Sequence, residues 1–295
     1  MCQRMYMNIK SVSPYGIKRS FLPCGKCQEC RDVAHMSWNF RLRSQLEAEQ
    51  KKGFWCGFVT LTYKPKCLPH IPTILVKKAF KKDYNKSKMP PAFSKKDIRG
   101  FIDGLRKFCY RDYKPNGFPL GVKNLTWLVG SEYGETTHRP HYHAIFSVPS
   151  CISPVDFFEK IKELWTPLGH VFPKDFEGGV DPSGYEHKPF LVDSLANSAY
   201  YASKYVCKDI AYFESINLEH FAKDFKNYRG DVVCKLRDYL PFHMQTRSLG
   251  LGYIQDLSDE QKLEYLRNGV SLVGEQKLHA LPLYMRNKIL YDNKS

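Results

Sequence analysis

The chain has 295 residues with 43% hydrophobic side chains, enough to build a buried core, which excludes disorder as a description of the whole. Its 45 Lys and Arg outweigh 30 Asp and Glu for a formal charge of +15, which favours a polyanionic partner, a membrane surface being the weaker alternative. No apolar run approaches a membrane span and the opening "MCQRMYMNIKSV" lacks the apolar core of a signal peptide, so no membrane partner and a cytoplasmic location are expected.

Residues 1–50 read as a cysteine-motif segment followed by a helix. In a reducing compartment ten cysteines are thiols or metal ligands rather than disulfides. Cys24, Cys27 and Cys30 form C-x2-C-x2-C. Three thiolates are one short of a structural Zn²⁺ site; Cys2, His35 or Cys56 can supply the fourth, with an iron–sulfur site and plain reduced thiols as the other readings.

"FWCGFVTLTY" (54–63) is aromatic and β-branched, hence a strand. A basic stretch follows, with Lys77, Lys78, Lys81 and Lys82 beside Phe80, Tyr84 and Phe93. Cations interleaved with aromatics suit a single-stranded nucleic acid, the cations tracking phosphates and the rings stacking on bases; a solvated loop has the same composition. "SKKDIRGFIDGLRKFCYR" (94–111) predicts a helix opened by Ser94 and Asp97, with Ile98, Phe101, Ile102, Leu105, Phe108 and Cys109 on one stripe. Gly100 and Gly104 weaken it by about 1 kcal/mol each relative to alanine.

Strands at 125–132 and 140–148 flank the turn "YGETTHRP". Ser153 and Pro154 open a helix, "GHVF" (169–172) is a short strand, 173–189 is a loop, and a helix over 193–210 is opened by Asp193. Residues 258–269 hold the best helical pattern of the remainder. The order β-α-β-β-α-β-α predicts an α+β fold: an antiparallel sheet of about five strands flanked by helices, in ferredoxin/RRM-like topology, with the helices of its first six elements on one face. The expected units are 1–50, a core at 51–215, and a C-terminal extension at 216–295 that packs on the core.

Side chains alternate along a strand, so His141 and His143 share one face of theirs, and Leu128, Gly130 and Glu132 one face of theirs. If the faces coincide, two imidazoles and a carboxylate converge as a three-ligand set with positions open to water and substrate. A phosphate substrate and the carboxylate suit Mg²⁺ or Mn²⁺, and simple packing of the histidines is the alternative. On the 193–210 helix Tyr201 and Tyr205 lie one turn apart at the edge of a core stripe of Leu195, Ala199, Ala202 and Val206, with Lys204 and Lys208 following each by three positions and Tyr200 pointing elsewhere. A phenol with a nearby ammonium is a candidate nucleophile toward phosphorus; two half-buried tyrosines packing on a sheet fit the same pattern. Arg139, beside the histidines, and Arg247, in "RSLGLG", are candidate DNA contacts or plain turn residues.

"FVTLTY", then "HRPHYHAIF" with Glu132 upstream, then "YYASKYVCKD" resemble, in that order, the rolling-circle replication initiators of the HUH endonuclease superfamily. The likeness is nearest to the initiators of gokushovirus-type microviruses, small single-stranded DNA phages, whose flanking segments "PCGKCQECR" and "QTRSLGLGYI" also resemble. Tyr142 is a bulky choice for the middle of the His pair. The resemblance implies that His141, His143 and Glu132 hold the metal and that Tyr201 and Tyr205 alternate as nucleophiles. Lys204 and Lys208 would steady the phosphate or phenolate. It also implies a single-stranded phage origin as substrate, a covalent 5′-phosphotyrosine, the replication machinery of a bacterial host as partner, and the host cytoplasm as the place of action. A non-catalytic basic protein that binds single-stranded nucleic acid, and a relaxase or single-strand transposase of the same chemistry, are the rival expectations.

Overall fold

The computed structural model describes residues 6–7, 21–22, 28–70, 91–134, 139–180, 184–207, 225–226, 232–234, 241–247, 249–250, 258, 260, 272–273 and 276–277. The elements that form its centre are α1 (Gln28–Gln50), β1 (Phe54–Tyr63), α2 (Lys95–Lys107), β2 (Thr126–Tyr133), β3 (Pro140–Pro149), α3 (Pro154–Trp165), β4 (Gly169–Phe172), α4 (Leu195–Cys207) and β5 (His243–Gln245). Five strands make one antiparallel sheet in the order β5-β2-β3-β1-β4. The run β4-β1-β3-β2 is what a β-α-β-β-α-β chain forms when each β-α-β unit leaves a gap that a strand of the other fills. The α+β fold and its antiparallel sheet of five strands are therefore as expected, four strands following the element order and the fifth, β5, coming from the segment read as the C-terminal extension.

Helices cover both faces of the sheet. Residues Val59, Leu61 and Tyr63 of β1 and Tyr142, Ala144, Phe146 and Val148 of β3 point to one face, where they meet Ile98, Phe101, Ile102 and Leu105 of α2 and Phe157, Phe158, Ile161 and Trp165 of α3. Each large side chain buried here contributes roughly 1.5–3 kcal/mol. The Trp165 indole N–H donates to the Thr62 carbonyl at 3.0 Å, so its burial leaves no donor unmet. α1 and α4 cover the opposite face over Leu42, Leu46, Leu128, Ile145, Ala199, Ala202 and Leu249, with Leu195 and Val206 at the margin.

Local chemistry explains the helix ends. Ser94 accepts the Asp97 N–H at 3.2 Å, and Asp97 accepts the Tyr63 hydroxyl at 2.8 Å, which ties the start of α2 to β1. The Tyr142 hydroxyl accepts the Ser94 N–H at 2.8 Å, so the bulky residue between the two histidines is a core pin directed away from them. α2 ends at Lys107, and the predicted helix continues only as a π-helical turn over Phe108–Asp112. A methyl at Gly104 would lie 2.8 Å from the Leu164 side chain, so that glycine permits the close approach of α3 to α2. Ser194, not Asp193, caps α4 by accepting the Asn197 N–H at 3.4 Å. The expected loop at 173–189 contains a small ladder, Gly179–Val180 against Glu186–His187.

Two other expectations change. Phe93 is fully buried against Tyr133, Tyr142 and Phe242, so it is core and has no face to offer a base. Cys56 is buried with its thiol pushed up to about 11, first by burial, and it sits under α1 with Ser147 and Glu49 as neighbours, which counts against it as a fourth zinc ligand. Among the described residues no helix is long and apolar enough to cross a membrane.

Candidate functional site

Register builds the site. β2 and β3 pair so that Glu132 lies opposite His141, Gly130 opposite His143 and Leu128 opposite Ile145. On the other flank of β3, Thr62 lies opposite His141 and Thr60 opposite His143. Residues directly opposite in an antiparallel pair share a face, so the faces on which the metal reading depends do coincide. They are the faces covered by α1 and α4.

His143 is held from three directions. Its Nε2 meets Glu132 Oε2 at 3.0 Å, its Nδ1 meets Thr60 Oγ1 at 3.1 Å, and the Tyr205 ring stacks on it with centroids 3.6 Å apart and planes 12° apart. Glu132, His143 and Tyr205 are all buried. An ionised carboxylate only accepts, so in the neutral imidazole Nε2–H donates to Glu132 and Nδ1 accepts from Thr60. His141 is partly buried; burial first, then the neighbouring His143, holds its imidazole below the usual value, while Glu132 and a hydrogen bond with the Arg139 backbone oppose this. It is thus a neutral imidazole at pH 7, the form that ligates metals.

The donor chemistry fits a divalent cation. Imidazole nitrogen and carboxylate oxygen are donors that Mg²⁺ and Mn²⁺ sites use, and the 3.0 Å between His143 Nε2 and Glu132 Oε2 is the hydrogen bond between them. As the side chains stand, no three His, Cys, Asp or Glu groups among the described residues converge into a metal-holding cluster, and His141 is not brought together with the His143–Glu132 pair.

The two tyrosines are unequal. Tyr201 is 42% exposed and Tyr205 6%. Their rings meet edge to face at 4.9 Å, and the Tyr201 ring lies 6.0 Å from His143 and 5.5 Å from Phe58. Burial first, then a hydrogen bond with Tyr201 and that phenol's own charge, then the Glu132 carboxylate, push the Tyr205 phenol far above its usual value. That is opposite to the lowering expected from nearby lysines. Lys204 is exposed on the outer flank of α4. Tyr200 points away from the site, as its position on the helix predicts, and packs on His35.

A third contributor is absent by virtue of being glycine. A methyl on Gly130 would lie 2.8 Å from Tyr205 Cβ and 3.3 Å from its backbone carbonyl carbon. The bare backbone at Gly130 therefore lets α4 approach β2 closely enough for Tyr205 to stack on His143. Neither Thr60 nor Gly130 was singled out from the sequence. A glycine inside a predicted strand signals close backbone approach, and Thr60 lay in the first resembling motif without a role.

The remaining predicted residues stand apart. Arg139 donates to the Tyr63 carbonyl and is part-buried, so it ties the start of β3 to the end of β1. Arg247 is exposed beyond β5. His35, a candidate fourth zinc ligand, has its Nε2 at 3.2 Å from the Tyr200 carbonyl oxygen. Lys208, Cys24, Cys27, Lys77, Lys78, Phe80, Lys81, Lys82 and Tyr84 lie outside the described residues, as does the side chain of Cys30 and all but two residues of the 258–269 helix.

A family model for the replication-associated proteins of the ORF2 type matches residues 56–210, more than half of the chain, from within β1 to beyond the end of α4. No curated protein matches the chain.

Proposed function

Because the chain belongs to the ORF2-type replication-associated protein family of rolling-circle replication initiators, we propose that it begins replication by nicking single-stranded DNA itself, as a divalent-metal-dependent nickase and strand transferase at the origin of a small phage genome. One observation carries this reading: two phenols on one turn of α4 lie against the His143–Glu132 pair, on the same face of the sheet. The basic charge of the chain suits the substrate.

In this scheme the Tyr201 oxygen attacks the scissile phosphorus and the bond to the 3′ oxygen breaks. The phenol gives up its proton and the departing oxygen takes one up, so DNA and protein alone balance the step. The 5′ phosphate stays on the protein as a phosphotyrosine that keeps the ester energy for rejoining, and the free 3′ hydroxyl is left for a host polymerase. Mg²⁺ or Mn²⁺, held by His143, Glu132 and His141, would draw charge from the non-bridging oxygens of the phosphate. Lys204, on the outer flank, would meet the phosphate from solvent.

Their unequal exposure supports an order for the two nucleophiles. Tyr201 is open to an arriving strand, whereas Tyr205 has to leave its stack on His143 before it can attack. Tyr205 is accordingly the acceptor in the second, strand-transferring step. The test is incubation of the protein with a single-stranded origin oligonucleotide and Mn²⁺. A protein–DNA adduct that survives denaturation and disappears with EDTA is expected. Binding without an adduct under every divalent metal would leave a non-catalytic single-strand-binding protein instead.

A further inference from the structure

The first of the three resembling motifs, "FVTLTY", has no role in the chemistry above, and the geometry points to one: we infer that Thr60 is the positioning residue that fixes the His143 ring for metal binding. The inference rests on the reading of His143 as a ligand. Thr60 lies directly opposite His143 in the β1–β3 register, and its hydroxyl oxygen is 3.1 Å from Nδ1. Tyr205 closes one ring face and Glu132 engages Nε2, while Thr60 holds the ring at Nδ1.

A hydroxyl is the group this place needs. With the imidazole neutral and Nε2–H donating to Glu132, Nδ1 accepts a hydrogen bond from the Thr60 hydroxyl. A ligating Nε2 must instead present its lone pair, which places the ring proton on Nδ1 and requires an acceptor there. A hydroxyl donates in the first state and accepts in the second by rotating about one bond. A carboxylate at 60 would serve only the second state, and valine, of similar shape, neither. Threonine is also β-branched, so it favours the strand it occupies.

The test compares Thr60→Val and Thr60→Ser with the wild-type full chain. Mn²⁺ affinity is read by titration calorimetry. The His143 ring nitrogens are read by ¹⁵N NMR in the metal-free protein and with diamagnetic Mg²⁺, assigned by their loss in His143→Gln. Thr60→Val is expected to weaken Mn²⁺ binding by roughly 10- to 100-fold and to shift the His143 nitrogen signals before any metal is added. Thr60→Ser, which keeps the hydroxyl, is expected to stay near wild type in both. Wild-type affinity in Thr60→Val overturns the inference, as does Thr60→Ser falling as far as Thr60→Val, since the methyl would then be the part that matters. Wild-type protein that binds neither Mn²⁺ nor Mg²⁺ refutes the ligand reading of His143 itself, and the inference with it.

Discussion

Gly130→Ala is the smallest change that should dismantle the site without touching a reactive group. The added methyl would lie 2.8 Å from Tyr205 Cβ, 3.3 Å from its carbonyl carbon and 3.4 Å from its carbonyl oxygen. Carbon pairs settle at about 3.5–4.0 Å, and the obstructing atoms belong to the root of a side chain and to helix backbone, which cannot swing aside. α4 must therefore retreat from β2 by roughly 1 Å. Overpacking of this kind costs about 1–3 kcal/mol, offset by up to about 1 kcal/mol because alanine suits a strand better than glycine. The stack of Tyr205 on His143 opens, and a misplacement of roughly 1 Å at a reacting group lowers rate by about 100-fold. The assay is adduct formation on an origin oligonucleotide, with a thermal melt of the same preparation. Gly100→Ala is the control: a methyl there meets nothing within 4 Å, so it should raise stability by up to about 1 kcal/mol through helix propensity and leave the adduct rate alone. Gly130→Ala with wild-type melting and wild-type adduct formation would refute the close-approach argument.

Two further outcomes are expected. Tyr201→Phe should lose most of the first cleavage, at least 10-fold by adduct assay, whereas Tyr205→Phe should still nick but fail to transfer the strand to a second oligonucleotide; equal first cleavage by both would remove the order assigned from their exposure. His141 should make the fold acid-sensitive. Its folded value lies below the unfolded 6.5, so on acidification the unfolded chain takes up a proton that the folded chain resists, and the contribution present above about pH 6.5 is lost as pH falls toward the lowered folded value. Urea midpoints at pH 7.5 and 5.5 should therefore fall further in the metal-free wild type than in His141→Gln; an identical fall in both would refute it.

Whatever depended on short-range pattern was legible in the sequence. The strands at β1, β2 and β3, the Ser94 and Ser153 caps, and the α4 core stripe of Leu195, Ala199, Ala202 and Val206 follow from periodicity and capping chemistry over a few residues. The side of the sheet on which α1 and α4 rest was not legible, because the alternation along a strand separates two faces without saying which helix will cover each. Phe93 misled for a related reason: an aromatic among lysines has the composition of a base-stacking loop, and only its neighbours Tyr133 and Phe242, one far along the chain and the other farther still, make it core.

The site itself divides the same way. Its candidate groups are visible because their chemistry is unusual for their places: two imidazoles on one strand face, two phenols on one helical turn. What positions them is ordinary by type and gains meaning only through pairing across strands. Yet the hairpin between β2 and β3 makes part of that pairing countable. Once Glu132 is placed opposite His141, stepping back two residues on one strand and forward two on the other sets Gly130 opposite His143. A glycine opposite a buried histidine marks a spot where another backbone comes close, and that backbone belongs to the helix that carries the tyrosines. Thr60 needs one more step, the β1–β3 register, which no turn joins and no local count supplies. The tyrosine helix is thus brought to the histidine strand by a missing side chain, and the His143 ring meets a hydroxyl from a strand about eighty residues earlier.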